Sequence, residues 1–341
     1  MKRYRINIEI LSPVHIGTNE ELDPLNYIIK ESVFYRINLE KFLVDLEESL
    51  KQDFYGLVDS DDINGLRKFI IDNCDLSKYS LYSASVTKNI QDNYTRNIGN
   101  INNQLLVDPF IRSFNSFNAY IPGSSLKGAI RTAIISERAK NKRYDKNDRN
   151  LPKYFEGDVL SYGKDIRKDP FRTLKIDDTP LPEGSIFIAE IFNMVLARGG
   201  MANFKGMQIF KEVTESMVSK APISLDTYLS IDDNLQEKRA VSSNITLQEI
   251  IESCNKFYSP KLEKEHIKFY ARAPVRESSE KLLNIKLSKN QFLLRLGRFS
   301  QVECVTVDNF RNPKSRKGWG NSRNICEKKY PMGWIKISLH E

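Results

Sequence analysis

The strongest constraint on the fold of this 341-residue chain is the segment YIPGSSLKGAIRTAIISERAK, Tyr120–Lys140. Pro122–Gly123 breaks the chain, and Ser124 or Ser125 can cap a helix reaching about Lys140. Leu126, Ile130, Ala133 and Ile134 recur at helical spacing and form its apolar stripe. Upstream, Tyr4, Ile6, Ile8 and Ile10 alternate with Arg5, Asn7 and Glu9, the pattern of a half-buried strand. Downstream, TLKID and SIFIAEIFNMVL read as strands joined by a turn at Leu181–Gly184, and MQIFKEV and PISLDTYLSI as two more. Helices follow from Thr246 to about Phe257 and over Glu263–Ala271, then strands in QFLLRLG and WIKISL. The order strand, helix, strand, strand, helix, strand predicts an α+β chain of the ferredoxin-like kind.

Between the first strand and that helix, residues 20–115 read as a large insertion. It holds a hairpin about Glu31–Ser32 and a helix capped by Asn38 that runs to about Leu50. A second helix covers Asp61–Asn73, and an Asn-rich stretch over 88–118 reads mostly as loop. Residues 141–153 are polar and predict a surface loop. A single core stops growing at roughly 250–300 residues, so two domains are expected. The Gly-rich RGGMANFKG (Arg198–Gly206) is the candidate junction, which gives 1–200 and 201–341.

The net charge of +8 is unevenly spread. Residues 101–150 carry 9 basic against 4 acidic side chains, and residues 251–341 carry 19 against 9, while the rest is net acidic. If the two basic segments meet, they form a surface for a polyanion; the alternative is a solvated charged face. No apolar run approaches the ~20 residues that span a bilayer. The N-terminus lacks the apolar core of a signal peptide. Cys74, Cys254, Cys304 and Cys326 form no CxxC, as expected of reduced thiols in a cytoplasm. With three histidines, a His-rich metal or proton-relay site is not expected, and no cofactor motif is present.

PGSSLKGAIR offers free backbone N–H groups and a positive dipole end at a helix start, with Gly123 and Gly128 for close approach. Lys127 and Arg131 lie one turn apart, which suits a phosphodiester. The same residues equally make a capped surface helix with two solvated cations. Ala129 and Ile130 replace the Lys-Ser/Thr of a P-loop, so no nucleoside triphosphatase follows. In SPVHIGT, His15 beside Gly17 is either a general base toward a ribose 2′-OH or a packed turn residue. RLGRFS (Arg295–Ser300, with Gly297 and Arg298) and PKSRKGWGNSR (with Arg316, Lys317, Trp319 and Arg323) combine cations, glycine and an aromatic. They suit phosphate contact and base stacking, or a mobile basic loop. Trp334 of PMGWIKI reads as a core ring, and Asp177–Asp178 as turn formers.

Together SPVHIGT, DPFIRSF (Asp108–Phe114, with Arg112) and IPGSSLKG…R resemble the RAMP superfamily of CRISPR proteins. RLGRFS and GWG…PMGWIKI are similar to the fifth-subunit family of type III-A (Csm) effector complexes. The resemblance implies two ferredoxin-like (RRM-like) domains with the large insertion in the first. It implies a non-catalytic subunit that binds the 3′ region of the guide RNA (crRNA) and caps the stack of backbone subunits. Support of crRNA 3′ maturation by recruited host nucleases would follow. Its partners would be crRNA and neighbouring Csm subunits, without cofactor, membrane or self-association. By motif it carries RNA-binding roles onto His15, Gly17, Gly123, Ser124, Ser125, Lys127, Gly128, Arg131 and Gly297. Three rivals remain: a metal-independent endoribonuclease of guide precursors using His15, another backbone or 5′-handle subunit, and a protein adaptor with a basic surface.

Overall fold

The computed structural model describes residues 1–145, 148–196, 201–214, 222–238, 240–308, 310 and 320–340. The alternating N-terminal segment forms the strand Lys2–Ile10, central in a five-stranded antiparallel sheet. Trp334–Leu339 and Ile223–Ile231 flank it, and Gln291–Arg295 and Leu174–Ile176 close the two edges. Ile6, Ile8 and Ile10 are buried beneath the helices Gly123–Ala139 and Leu247–Glu265. Leu126, Ile130, Ala133 and Ile134 join them in one apolar core, as their spacing requires. Each such side chain contributes roughly 1.5–3 kcal/mol by leaving water, apart from the smaller Ala133. The Tyr258 hydroxyl ties the two helices by donating to the Ala129 carbonyl at 3.0 Å.

Taken in chain order, the first strand, helix, Leu174–Ile176, Ile223–Ile231, second helix and Trp334–Leu339 form a ferredoxin-like βαββαβ unit. The spatial order of its strands is fourth, first, third, second, with Gln291–Arg295 added at the edge. Its strands come from both sides of residue 200, so the expected division into 1–200 and 201–341 does not follow the sheets. The second sheet does not repeat this order. It runs Tyr27–Lys30, Val33–Ile37, Ser80–Val86, Ile186–Leu196, Ala202–Thr214 and Val107–Asp108, with Ser322–Cys326 also paired to Ile186–Leu196. Ile8 of the first sheet and Phe34, Val86 and Phe210 of the second share a single core.

The described part of RGGMANFKG opens the strand Ala202–Thr214, which returns antiparallel along Ile186–Leu196; residues 198–200 lie outside the described residues. The hairpin at Glu31–Ser32 turns with φ of +51° and +61°, the left-handed pair that a two-residue turn demands. Asn38 caps a helix, but one that stops at Val44; a new helix starts at Glu48. With Ile63–Asn73 these helices enclose a satellite core about Phe42, Phe69, Ile70 and Tyr79. The Asn-rich stretch opens on a helix, Lys88–Asn97, that buries Ile90 and Tyr94, and the rest of it is mostly turn and loop. No helix among the described residues is long and apolar enough to cross a membrane.

Candidate nucleic-acid interface

The separated motifs meet around one loop, Ser12–Gly17. The Trp334 N–H donates to Ser12 Oγ at 2.8 Å, and Gly333 N–H donates to the Pro13 carbonyl at 2.8 Å. Arg298 N–H donates to the His15 carbonyl at 3.0 Å, and Ile111 N–H to that of Ile16 at 2.7 Å. The His15 ring lies 2.7 Å through Nδ1 from the Glu212 carbonyl. A carbonyl only accepts, so Nδ1 carries the proton and Nε2 is left as a bare acceptor. Gly297, at φ +83°, presses against this loop: a Cβ there would lie 2.2 Å from the His15 carbonyl oxygen. Gly17 faces the ring, and its Cβ would lie 2.7 Å from Nε2.

His15 is 1% exposed and therefore frames the loop from beneath rather than touching a ligand. Burial lowers its pKa to about 4, partly opposed by the hydrogen bond to Glu212. The neutral ring is the folded form, so its contribution to stability is full above pH 6.5 and is lost as pH falls toward 4. That contribution is roughly 3 kcal/mol. In an NMR titration the His15 ring should stay neutral down to about pH 4; a midpoint near 6.5 would refute this burial.

Between this loop and the long helix lies an open groove of about 510 Å³. Gly17, Ser125, Gly128, Gly297 and Arg298 line it, so SPVHIGT, PGSSLKG and RLGRFS share one surface. Ser124, Gly128 and Arg298 are exposed, while Lys127 is half-buried, with its pKa lowered chiefly by that burial. Neither Lys127 nor Arg298 forms an ion pair among the described residues, although Asp169 lies near enough to Lys127 to oppose part of that lowering.

The other expected RNA contacts have structural duties. The helix starts at Gly123, and neither Ser124 nor Ser125 caps it. Gly123 N–H instead donates to Asp178 Oδ1 at 2.7 Å, so a carboxylate already sits at the helix start. Asp178 is thus more than a turn former, and Asp177 pairs with Arg3 at 2.9 Å. Arg131 is held between Glu156 at 2.7 Å and Asp169 at 2.8 Å. Arg112 stacks on Tyr82 at 3.6 Å and donates to the buried Glu212 at 2.9 Å. Arg295 and Arg323 are buried against Glu265 at 2.8 and 2.5 Å. Trp334 is fully buried, as its position in PMGWIKI predicts. Arg316, Lys317 and Trp319 lie outside the described residues. The open sheet face is no bare stacking platform either, since Arg3 covers the Tyr228 ring at 3.8 Å.

The glycines of PGSSLKG divide by role. A Cβ on Gly123 would meet the Ile176 carbonyl at 1.9 Å, whereas one on Gly128 meets nothing within 4 Å. Gly123→Ala should lower the melting temperature by several degrees, because backbone must shift. Gly128→Ala should leave it unchanged or raise it slightly, since alanine is the better helix former by about 1 kcal/mol. Thermal melts of both variants check this; equal shifts would contradict it.

The family model described as "RAMP superfamily" matches residues 7–320. A protein of Methanocaldococcus jannaschii described as "CRISPR system Cms protein Csm5" is 34% identical over 196 residues, 52% of this chain and 43% of that one. A Streptococcus thermophilus protein of the same description is 32% identical over 165 residues, 44% of this chain and 45% of that one. The matches thus span less than half the length of either relative. Among solved structures, a chain of a Csm–crRNA–target RNA ternary complex of a type III-A system superposes with TM-score 0.69. It is 20% identical, with 99% of this chain and 100% of that one covered. The T. onnurineus Csm5 crystal structure gives 0.66 at 20% identity, covering 96% and 99%. At that identity the structural likeness is one of fold.

Proposed function

The chain belongs to the RAMP superfamily, and from that premise we propose that it is a non-catalytic crRNA-binding subunit of a type III-A CRISPR effector complex. In this reading it caps the backbone at the crRNA 3′ end, supports 3′ maturation and contacts neighbouring Csm subunits. The observation that carries the RNA-binding part is the convergence of SPVHIGT, PGSSLKG and RLGRFS on one groove. Gly17, Ser125, Gly128 and Gly297 there allow close approach, Arg298 lines it with no ion pair among the described residues, and Lys127 stands on the same helix turn as Gly128. Such a surface holds phosphates without reading bases, which suits a guide whose sequence varies. The Csm5 relatives and the Csm–crRNA–target RNA complex supply the partners of the proposal.

The endoribonuclease reading asks His15 to accept a proton from a 2′-OH. Its ring is buried, its Nδ1 is occupied, Gly17 faces its Nε2, and its pKa near 4 makes it a weak base at neutral pH. The test is incubation of the purified chain with end-labelled RNA carrying a repeat 5′ handle and spacer, in Mg²⁺ or in EDTA. Salt-sensitive binding without cleavage is expected. Cleavage at one position that persists in EDTA and disappears in His15→Ala would replace the proposal with the enzyme.

A further inference from the structure

Beyond the short helix Gln301–Val305 the surface opens into a second cavity of about 570 Å³. Arg295 and Cys304 line both this cavity and the groove, so the two share a wall. Lys140, Lys256, Lys261, Lys264 and Lys268 line the second cavity. Its three lining carboxylates are already engaged: Glu265 with Arg295 and Arg323, Glu303 with Arg323, and Asp308 with Lys261. Lys256 pairs with Glu252 one turn away, a bond worth a few tenths of a kcal/mol. Lys264 and Lys268 have no carboxylate partner among the described residues.

Two further observations point to an extended anion. From Lys256 to Lys264 the helix climbs eight residues, about 12 Å, and Lys268 lies in the π-helical turn His266–Tyr270 beyond it, a span longer than one phosphate can bridge. At the shared wall, Arg295 is 3% exposed and its Nη2 has no hydrogen-bond partner, although its Nη1 is doubly bonded to Glu265. We propose that this lysine-lined cavity is a second phosphate-binding tract for the same single-stranded RNA. A strand leaving the groove beside Arg298 crosses the Gln301–Val305 helix and follows Lys256 and Lys264 of the helix Leu247–Glu265 and Lys268 just beyond it. The inference rests on the reading that the groove itself holds RNA.

The test uses the full chain, a Lys256→Ala/Lys264→Ala/Lys268→Ala variant and a Lys127→Ala/Arg298→Ala variant. Each is titrated with oligouridylates of about 8 and about 30 nucleotides at several salt concentrations. All three tract lysines are exposed, and a thermal melt reports whether that variant is folded. The triple variant should lose about tenfold or more in affinity for the long strand and stay within about twofold on the short one. Its salt slope on the long strand should flatten by about 2, the loss of three phosphate contacts. Unchanged long-strand binding, or equal loss on both lengths, overturns the tract. If only the groove variant loses binding, the tract falls and the groove stands; if the native chain binds neither RNA, both fall. Displacement of the long strand by polyglutamate as readily as by oligouridylate would make the cavity a protein-docking surface and also refute the proposal.

Discussion

Glu265→Ala is expected to cost about 3–5 kcal/mol of stability. Glu265 ends the helix Leu247–Glu265 and is 3% exposed. Its carboxylate meets Arg295 from the first sheet at 2.8 Å and Arg323 from the second at 2.5 Å. Arg295 also donates through Nε to the Met332 carbonyl at 3.0 Å, and Arg323 lies over the Phe269 ring at 4.0 Å. Removing the carboxylate leaves two buried guanidinium groups short of a counter-charge, with Glu303 paired to Arg323. A native domain has about 5–15 kcal/mol in hand, so the variant should melt on the order of 10 °C lower or fail to accumulate. The contrasting variant is Glu265→Met with Arg295→Met and Arg323→Met, which removes the charges together. It should recover much of the loss, because the penalty comes from unpaired ions rather than from the missing bridge. Calorimetry of the two proteins separates these outcomes: equal destabilisation would mean that the ion network itself is what stabilises the junction.

That network marks where the sequence was legible and where it was not. Periodicity located the strand Lys2–Ile10, the helix Gly123–Ala139, the hairpin about Glu31–Ser32 and the closing strand, because each depends on which neighbours along the chain are apolar. It could not show that Arg295 and Arg323 point inward. Their partner, Glu265, is 30 and 58 positions away, and a cation in a Gly-rich segment looks the same whether it meets a carboxylate or water. The Asn-rich helix Lys88–Asn97 was hidden because asparagine favours turns locally, while two buried side chains, Ile90 and Tyr94, decide the matter through tertiary packing. The first sheet draws strands from both sides of the expected boundary at residue 200 for a related reason. A central strand is completed by partners from 223–231 and 334–339, and strand pairing of that range leaves no local trace. The family motifs were found correctly as strings, yet most of their residues build the frame. Gly297 admits the His15 carbonyl, Gly123 admits that of Ile176, and Arg112 neutralises Glu212.

This sorting sharpens the RNA-binding prediction. Lys127 and Arg131, one turn apart on the helix, look like an equivalent pair in the sequence. Arg131, however, is committed to Glu156 and Asp169, so its field at the groove is largely cancelled by the carboxylates beside it. Arg298 remains, and so does Lys127, which feels Asp169 but forms no ion pair with it. The double variant Lys127→Ala/Arg298→Ala should weaken binding of single-stranded RNA about 100-fold or more at low salt. Each charge-assisted phosphate contact is worth roughly 1.5–3 kcal/mol, and 1.4 kcal/mol is tenfold. The slope of log K against log salt should fall by about 1.4, since each neutralised phosphate of a single strand contributes about 0.7. Arg131→Ala should do the opposite: melting drops as Glu156 and the buried Asp169 lose their partner, while the salt slope stays as it was. Fluorescence anisotropy over a salt series on the three proteins decides the assignment. A double variant with native affinity, or an Arg131 variant that alone flattens the slope, would move the phosphate path off this groove and onto the helix face below it.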